Sequence, residues 1–344
     1  MANENEILRE AVAAFNERFS CLKGLELSYS NLELQAQGRR ADATVRIVYG
    51  KNKFSYQAEI KPRFSHAGRQ LMVMQKASAN RPLLLVSDYV NPEMADRLVR
   101  DGIEFIDTGG NAFIDLGFLH IISKGNRPKN RAPLRSPRLF KPSGIKVVFE
   151  LLSHPELTTG TIRDIAKKSG VSLGTAVGVI DELKSRLYLI EDKKGIRRLV
   201  RKKDLFEAWA VAYPEQLRPK ITLGKYQGEP GWWHEKALQP AWAQWGGEVA
   251  ASRLTDYLFP QIITIYLKSE RQTEFLLENK LRSDPQGNVE VLERFWPTDD
   301  QRQDLETVHP LLIYADLIAT GNERDIQTAR IIYDQHIARY LRED

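Results

Sequence analysis

Apolar residues recur along this chain with periods that change from one segment to the next. Ile7, Leu8, Val12, Phe15 and Phe19 return every three to four positions among charged residues, which predicts an amphipathic helix over residues 1–20. Residues 41–50 and 53–61 flank Gly50-Lys51-Asn52 and predict a β-hairpin. PLLLVSDYV (82–90) is a continuous apolar run, as expected of a strand buried on both faces. NPEMADRLVRDG (91–102) predicts a helix ended by Gly102, and residues 103–116 predict two strands about Gly109-Gly110-Asn111. This order of helices and strands predicts an α/β domain over 1–122.

Between 123 and 142 the pattern stops. Pro128, Pro133, Pro137 and Pro142 are expected to break regular structure, and Lys124, Arg127, Lys129, Arg131, Arg135, Arg138 and Lys141 occur there without an acid. This stretch is a linker by composition, read either as a solvated tether or as a basic arm that tracks phosphates.

Residues 143–205 predict a winged helix-turn-helix. A helix over 145–154 is followed by a short one over 161–170, with Thr161 as N-cap, Asp164 reaching back to it and Gly170 as its end. The next helix starts at Ser172 and carries Leu173, Ala176, Ile180, Leu183 and Leu187 in one stripe. Residues 188–203 then alternate strand, basic glycine turn and strand. Candidate base-reading residues are Ser172, Gly174, Thr175 and Gly178 on the third helix. Thr161, Lys184, Arg186, Lys193, Lys194, Arg197 and Arg198, with Arg127, Lys129, Arg131, Arg135 and Arg138 of the linker, are candidate backbone contacts. The other reading of this segment is a winged helix that meets protein and no DNA.

The rest, 206–344, reads as mostly helical α+β. Residues 241–259 predict a helix broken at Gly246-Gly247, 261–267 a strand, 273–281 either, and 308–321 and 323–341 two helices. Trp232, Trp233, Trp242 and Trp245 cluster in sequence and are read as core packing rather than as an aromatic cage. The fold class expected is therefore α/β (α+β) and multidomain.

Charge sharpens this division. Of 344 residues, 50 are basic and 45 acidic, but residues 1–138 carry 21 and 15, 139–205 carry 14 and 8, and 206–344 carry 15 and 22. A basic front and an acidic back point to a polyanionic partner for the first two thirds. No apolar run approaches the ~18 residues of a membrane span. The N-terminal residues lack a basic head followed by an apolar block, so no secretory signal is expected. One cysteine, Cys21, fits a reducing compartment, and a cytoplasmic location is expected.

Folding the first hairpin about residue 51 puts Asp42 opposite residue 60, give or take one, beside Glu59; Lys61 shares a face with Glu59. An Asp followed by Glu-X-Lys on the partner strand resembles the core of the PD-(D/E)xK nuclease fold. In that family the two carboxylates hold a divalent metal and the lysine orients or activates the attacking water. Glu10 or Glu17 is a candidate further acid, and Gln70 or Gln75 matches a further polar position; Ala41 replaces the expected proline. The domain over 1–122 is thus either a working Mg²⁺- or Mn²⁺-dependent endonuclease, with Asp42, Glu59 and Lys61 as its site, or a nuclease-like domain that binds or scaffolds. No other cofactor is expected. The six histidines lie far apart, and no nucleophile elbow or phosphate-binding loop occurs.

WGGEVAASRLTDYLFP (245–260) and VHPLLIYADLIATGNERDIQTA (308–329) resemble the C-terminal region of AbiEi-type antitoxins, transcriptional regulators of type IV toxin–antitoxin systems. GIEFIDTGGNAFI (102–114) resembles the end of the nuclease-like region that precedes the winged helix in some members. The resemblance implies a repressor of its own promoter, with a nucleotidyltransferase-like toxin as genetic neighbour and no required contact between the two. A homodimer on two half-sites fits such a regulator. Shorter members begin with the winged helix, so the resemblance assigns residues 1–122 no role.

Overall fold

A computed structural model describes residues 4–31, 43–61, 64, 66–78, 82–128, 138–193, 195–296 and 306–342. The chain is mixed α/β and divides into two compact units, residues 1–135 and 136–344.

The first unit runs α1 (Glu4–Arg18), β1 (Leu25–Asn31), β2 (Ala43–Tyr49), β3 (Asn52–Lys61), α2 (His66–Ser78), β4 (Leu83–Ser87), α3 (Pro92–Arg100), β5 (Phe105–Asp107), β6 (Ala112–Leu116) and β7 (Leu119–Ser123). Its seven strands form one sheet in chain order. β3, β4 and β5 are parallel, because α2 and α3 carry the chain back between them; the other neighbours are antiparallel. Side chains alternate across the sheet. Tyr56, Ala58 and Ile60 join Ile7, Leu8, Val12 and Phe15 of α1 in one core. Met72, Leu85, Leu98, Phe105 and Phe113 form the other. Glu59 and Lys61, being of opposite parity to Ile60, lie on the second face.

The second unit runs α4 (Pro142–Ser153), α5 (Ile162–Lys168), α6 (Leu173–Ser185), β8 (Leu189–Glu191), β9 (Arg197–Leu199), α7 (Lys202–Ala212), α8 (Arg218–Ile221), β10 (Thr222–Gln227), β11 (Ala243–Gly246), α9 (Gly247–Thr255), β12 (Ile263–Leu267), α10 (Gln272–Glu278), β13 (Arg282–Ser283), β14 (Val289–Glu293), α11 (Pro310–Thr320) and α12 (Glu323–Ile332). β8 and β9 make a hairpin of their own. The other five strands form a mixed sheet in the order β11, β12, β14, β10, β13.

Several sequence readings change here. Pro142 opens α4 rather than breaking structure, since its missing N–H falls where a helix has no partner for one. Residues 241–259 are not one interrupted helix: Gly246 ends β11, and α9 begins at Gly247. The segment after 206 holds a five-stranded sheet where mostly helix is expected: β12 is the strand expected over 261–267, but β11, buried at all four positions, shows no alternation to mark it as a strand. No gap in packing follows residue 205. Trp209 of α7 donates from Nε1 to the Ile145 carbonyl of α4 at 3.0 Å. Phe149 of α4 meets Trp209, Phe295, Trp296 and His309. The division between units falls inside the expected linker. No helix among the described residues is long and apolar enough to cross a membrane.

Candidate nucleic-acid interface

The turn between α5 and α6 is built from caps. The Thr161 hydroxyl accepts from Asp164 N, and the Asp164 carboxylate accepts from Thr161 N and its hydroxyl, closing a capping box. Those hydrogen bonds, the hydroxyl's first, hold the Asp164 carboxyl below the usual carboxylate range. Gly170, at φ +61°, lets the chain reverse, and Val171 N donates to Ala166 O at 3.0 Å. Ser172 then caps α6, accepting from Thr175 N at 3.2 Å. α6 turns Ala176, Val179, Ile180 and Leu183 inward and leaves Leu173, Gly174, Val177 and Asp181 exposed. Thr175 is half-buried, and its hydroxyl lies 2.9 Å from that of Ser172. Gly178 is small for a packing reason: a Cβ there would lie 2.5 Å from Arg138 Nη1.

The hairpin turns at Gly195, with Asp192 N bonded to Ile196 O and Gly195 N to Asp192 O. Lys193 and Arg198 are exposed with no acidic partner among the described residues. Arg163 and Lys167 add exposed cations on α5. Arg197 differs from its reading as a phosphate contact. It shares a face with Leu199, is buried, and donates to the Gly160 carbonyl, so it braces the hairpin against the turn before α5. Lys184 pairs with Glu191 and Arg186 with Glu182, so both charges are neutralised locally. Arg138 donates from its backbone to Glu182 Oε2 at 2.7 Å while its side chain lies over α6. Arg127 is exposed in the first unit. Lys129, Arg131, Arg135 and Lys194 lie outside the described residues.

On β3 of the first unit, Lys61 Nζ lies 2.8 Å from Glu59 Oε1, with Glu59 the more buried of the two. The hairpin register pairs Ala43 with Ala58 and Tyr49 with Asn52, within the one-residue range expected. Asp42 lies outside the described residues. Glu10 and Glu17 are exposed on α1, which packs on the opposite face of the sheet from Glu59, so neither joins it. Gln70 is buried on α2. No group of three or more metal-ligating side chains converges among the described residues.

Two buried networks lie outside the candidate site residues. In the first unit, Asp107 is fully buried and accepts from Val90 N, Gly109 N, Asn111 N and Asn111 Nδ2 at 2.7–2.9 Å. Asn111 bonds onward to Asn126, so the Gly109-Gly110-Asn111 turn is a structural staple. Burial pushes the Asp107 carboxyl up despite these four donors. In the second unit, the Tyr213 and Tyr266 hydroxyls are 2.5 Å apart and Tyr266 donates to Asp316 at 2.8 Å. Arg218 bridges Asp316 at 2.9 Å and Glu290 at 2.6 Å, and Lys225 also pairs with Glu290. The tryptophans close no cage. Trp245 is fully buried against Trp232, and Trp242 packs on Phe275.

Residues 198–338, from β9 through α12, match the family described as transcriptional regulator, AbiEi antitoxin, type IV TA system. No curated protein and no solved structure matches the chain.

Proposed function

From an AbiEi-type region over residues 198–338, we propose that this chain is a DNA-binding transcriptional regulator, the antitoxin and autorepressor of a type IV toxin–antitoxin system. In this reading α4, α5, α6 and the β8–β9 hairpin are a winged helix-turn-helix, α6 enters a major groove, and the hairpin lies along the backbone. The observation that carries it is the outer half of α6, which the fold leaves uncovered beside the exposed cations of α5 and the hairpin. Lys193 and Arg198 contact phosphate; Arg197, Lys184 and Arg186 hold the shape that presents them.

Each phosphate contact lowers log affinity against log salt with a slope of about −0.9. The double variant Lys193→Ala, Arg198→Ala is expected to weaken binding to all duplexes alike and to make that slope shallower by about 2. A salt titration by fluorescence anisotropy measures it, and an unchanged slope contradicts the assignment.

A second reading, a metal-dependent endonuclease, is favoured by the close pairing of Glu59 and Lys61 on one face of β3. Glu59 offers one hard carboxylate for Mg²⁺ or Mn²⁺; the second in this reading is Asp42. When bound, the metal supplies Lewis-acid stabilisation of the phosphate. Metal-dependent nicking of duplex DNA that Glu59→Gln and Lys61→Ala each abolish is the expected result of this reading. Intact DNA in Mg²⁺ and in Mn²⁺ rejects it, and nicking that survives both changes places the site elsewhere.

A further inference from the structure

We propose that α6 selects its duplex by thymine 5-methyl groups, with Leu173 and Val177 as the contacting side chains. This deepens, and rests on, the reading that α6 enters a major groove. Leu173 and Val177 are four residues apart, on one helical face. They are 46% and 38% exposed, while the inward positions of the same helix are filled by the core.

The chemistry of the outer face narrows what it can read. From 173 to 181 the sequence is LGTAVGVID, without Arg, Lys, Asn or Gln. Such a face has none of the paired donors that recognise guanine O6 and N7 or adenine N6 and N7. The hydroxyls of Ser172 and Thr175 are engaged with each other and with the helix cap. Of the major-groove features, the thymine methyl is the one that apolar side chains recognise.

Gly174 points the same way. A Cβ built there meets nothing within 4 Å, in contrast to Gly178, where Arg138 fills the space. Glycine weakens a helix relative to alanine, and no contact in the fold requires it at 174. An outside surface that approaches the backbone closely supplies the reason, with Val177 and then Leu173 next to it around the helix. Charge identifies that surface as nucleic acid. Arg163 and Lys167 of α5 and Lys193 and Arg198 of the hairpin are exposed cations on the elements that flank α6. Asp181, one turn past Val177, is exposed and repels phosphate, which confines close contact to the N-terminal half of the helix.

The test uses the full chain and DNA from upstream of its own gene, copied with thymine or with uracil, plus a shuffled duplex. Wild type is expected to bind the thymine duplex about tenfold more tightly than the uracil one, from two methyl contacts. Leu173→Ala, Val177→Ala, a change at two exposed positions, is expected to bind both at the weaker level. Wild type that prefers upstream DNA to shuffled DNA yet ignores the base change overturns the methyl reading and leaves the regulator standing. A double variant that still discriminates tenfold overturns these two residues. No preference for upstream over shuffled DNA overturns the regulator reading, and this one with it.

Discussion

Arg218→Met is expected to destabilise the second unit by about 3–5 kcal/mol, the cost of removing one partner from a buried ion pair. Arg218 sits between Asp316, which is almost wholly buried, and Glu290, and the methionine leaves Asp316 among the Tyr213 and Tyr266 rings with no cation. The pH dependence has a definite sign. Burial pushes the Asp316 carboxyl up even with Arg218 beside it. A raised carboxyl adds stability at low pH that is lost as pH rises through its folded value, so the variant's deficit narrows on acidification. Glu290 behaves oppositely. Burial pushes it up, but the charges of Arg218 and Lys225 hold it below the usual range, so its contribution is present at neutral pH and is lost as pH falls through the lowered value. All six tryptophans lie between 209 and 296, so their fluorescence during urea unfolding of the full chain reports this unit alone. A change below about 1 kcal/mol would show that the network contributes little.

Asp107→Ala is expected to cost the first unit about 3 kcal/mol, since four donors lose their acceptor and at least Val90 N and Asn111 N are buried where water does not replace it. Asp107→Asn fares little better, because an amide offers one acceptor oxygen to a cradle made wholly of donors. Hydrogen exchange reads this locally. Amides of β4 to β6 are expected to exchange on the order of a hundredfold faster in Asp107→Ala at neutral pH. Unchanged protection there would mean the turn is held by its flanking strands alone.

Local pattern made much of this fold legible. The caps at Thr161 and Ser172, the left-handed Gly170 and the inward stripe of α6 are signals spread over three or four residues, and α4 through β9 follow from them. The β2–β3 hairpin was legible for the same reason, and its register, with Gly50 and Lys51 between the paired Tyr49 and Asn52, lies within the one-residue range expected. Strands buried on both faces carry no alternation: the apolar run marks β12, but β11 is hidden within the helix expected over 241–259. Arg197 and Arg198 are neighbours in a basic run, yet one is buried and the other exposed. The parity of Arg197 with Leu199 was the available signal, since strand side chains repeat every two residues. The Arg218 network draws on residues 213, 218, 266, 290 and 316, and only the packed structure brings them together.

In the proposed function, this chain reads duplex DNA through α6 and the β8–β9 hairpin. The most direct test is the dissociation constant of the full chain for a duplex from upstream of its own gene, against a shuffled duplex of equal length and composition, at one physiological salt concentration. A preference of at least about 10³-fold for the upstream duplex is expected. Equal affinity for the two duplexes would contradict it.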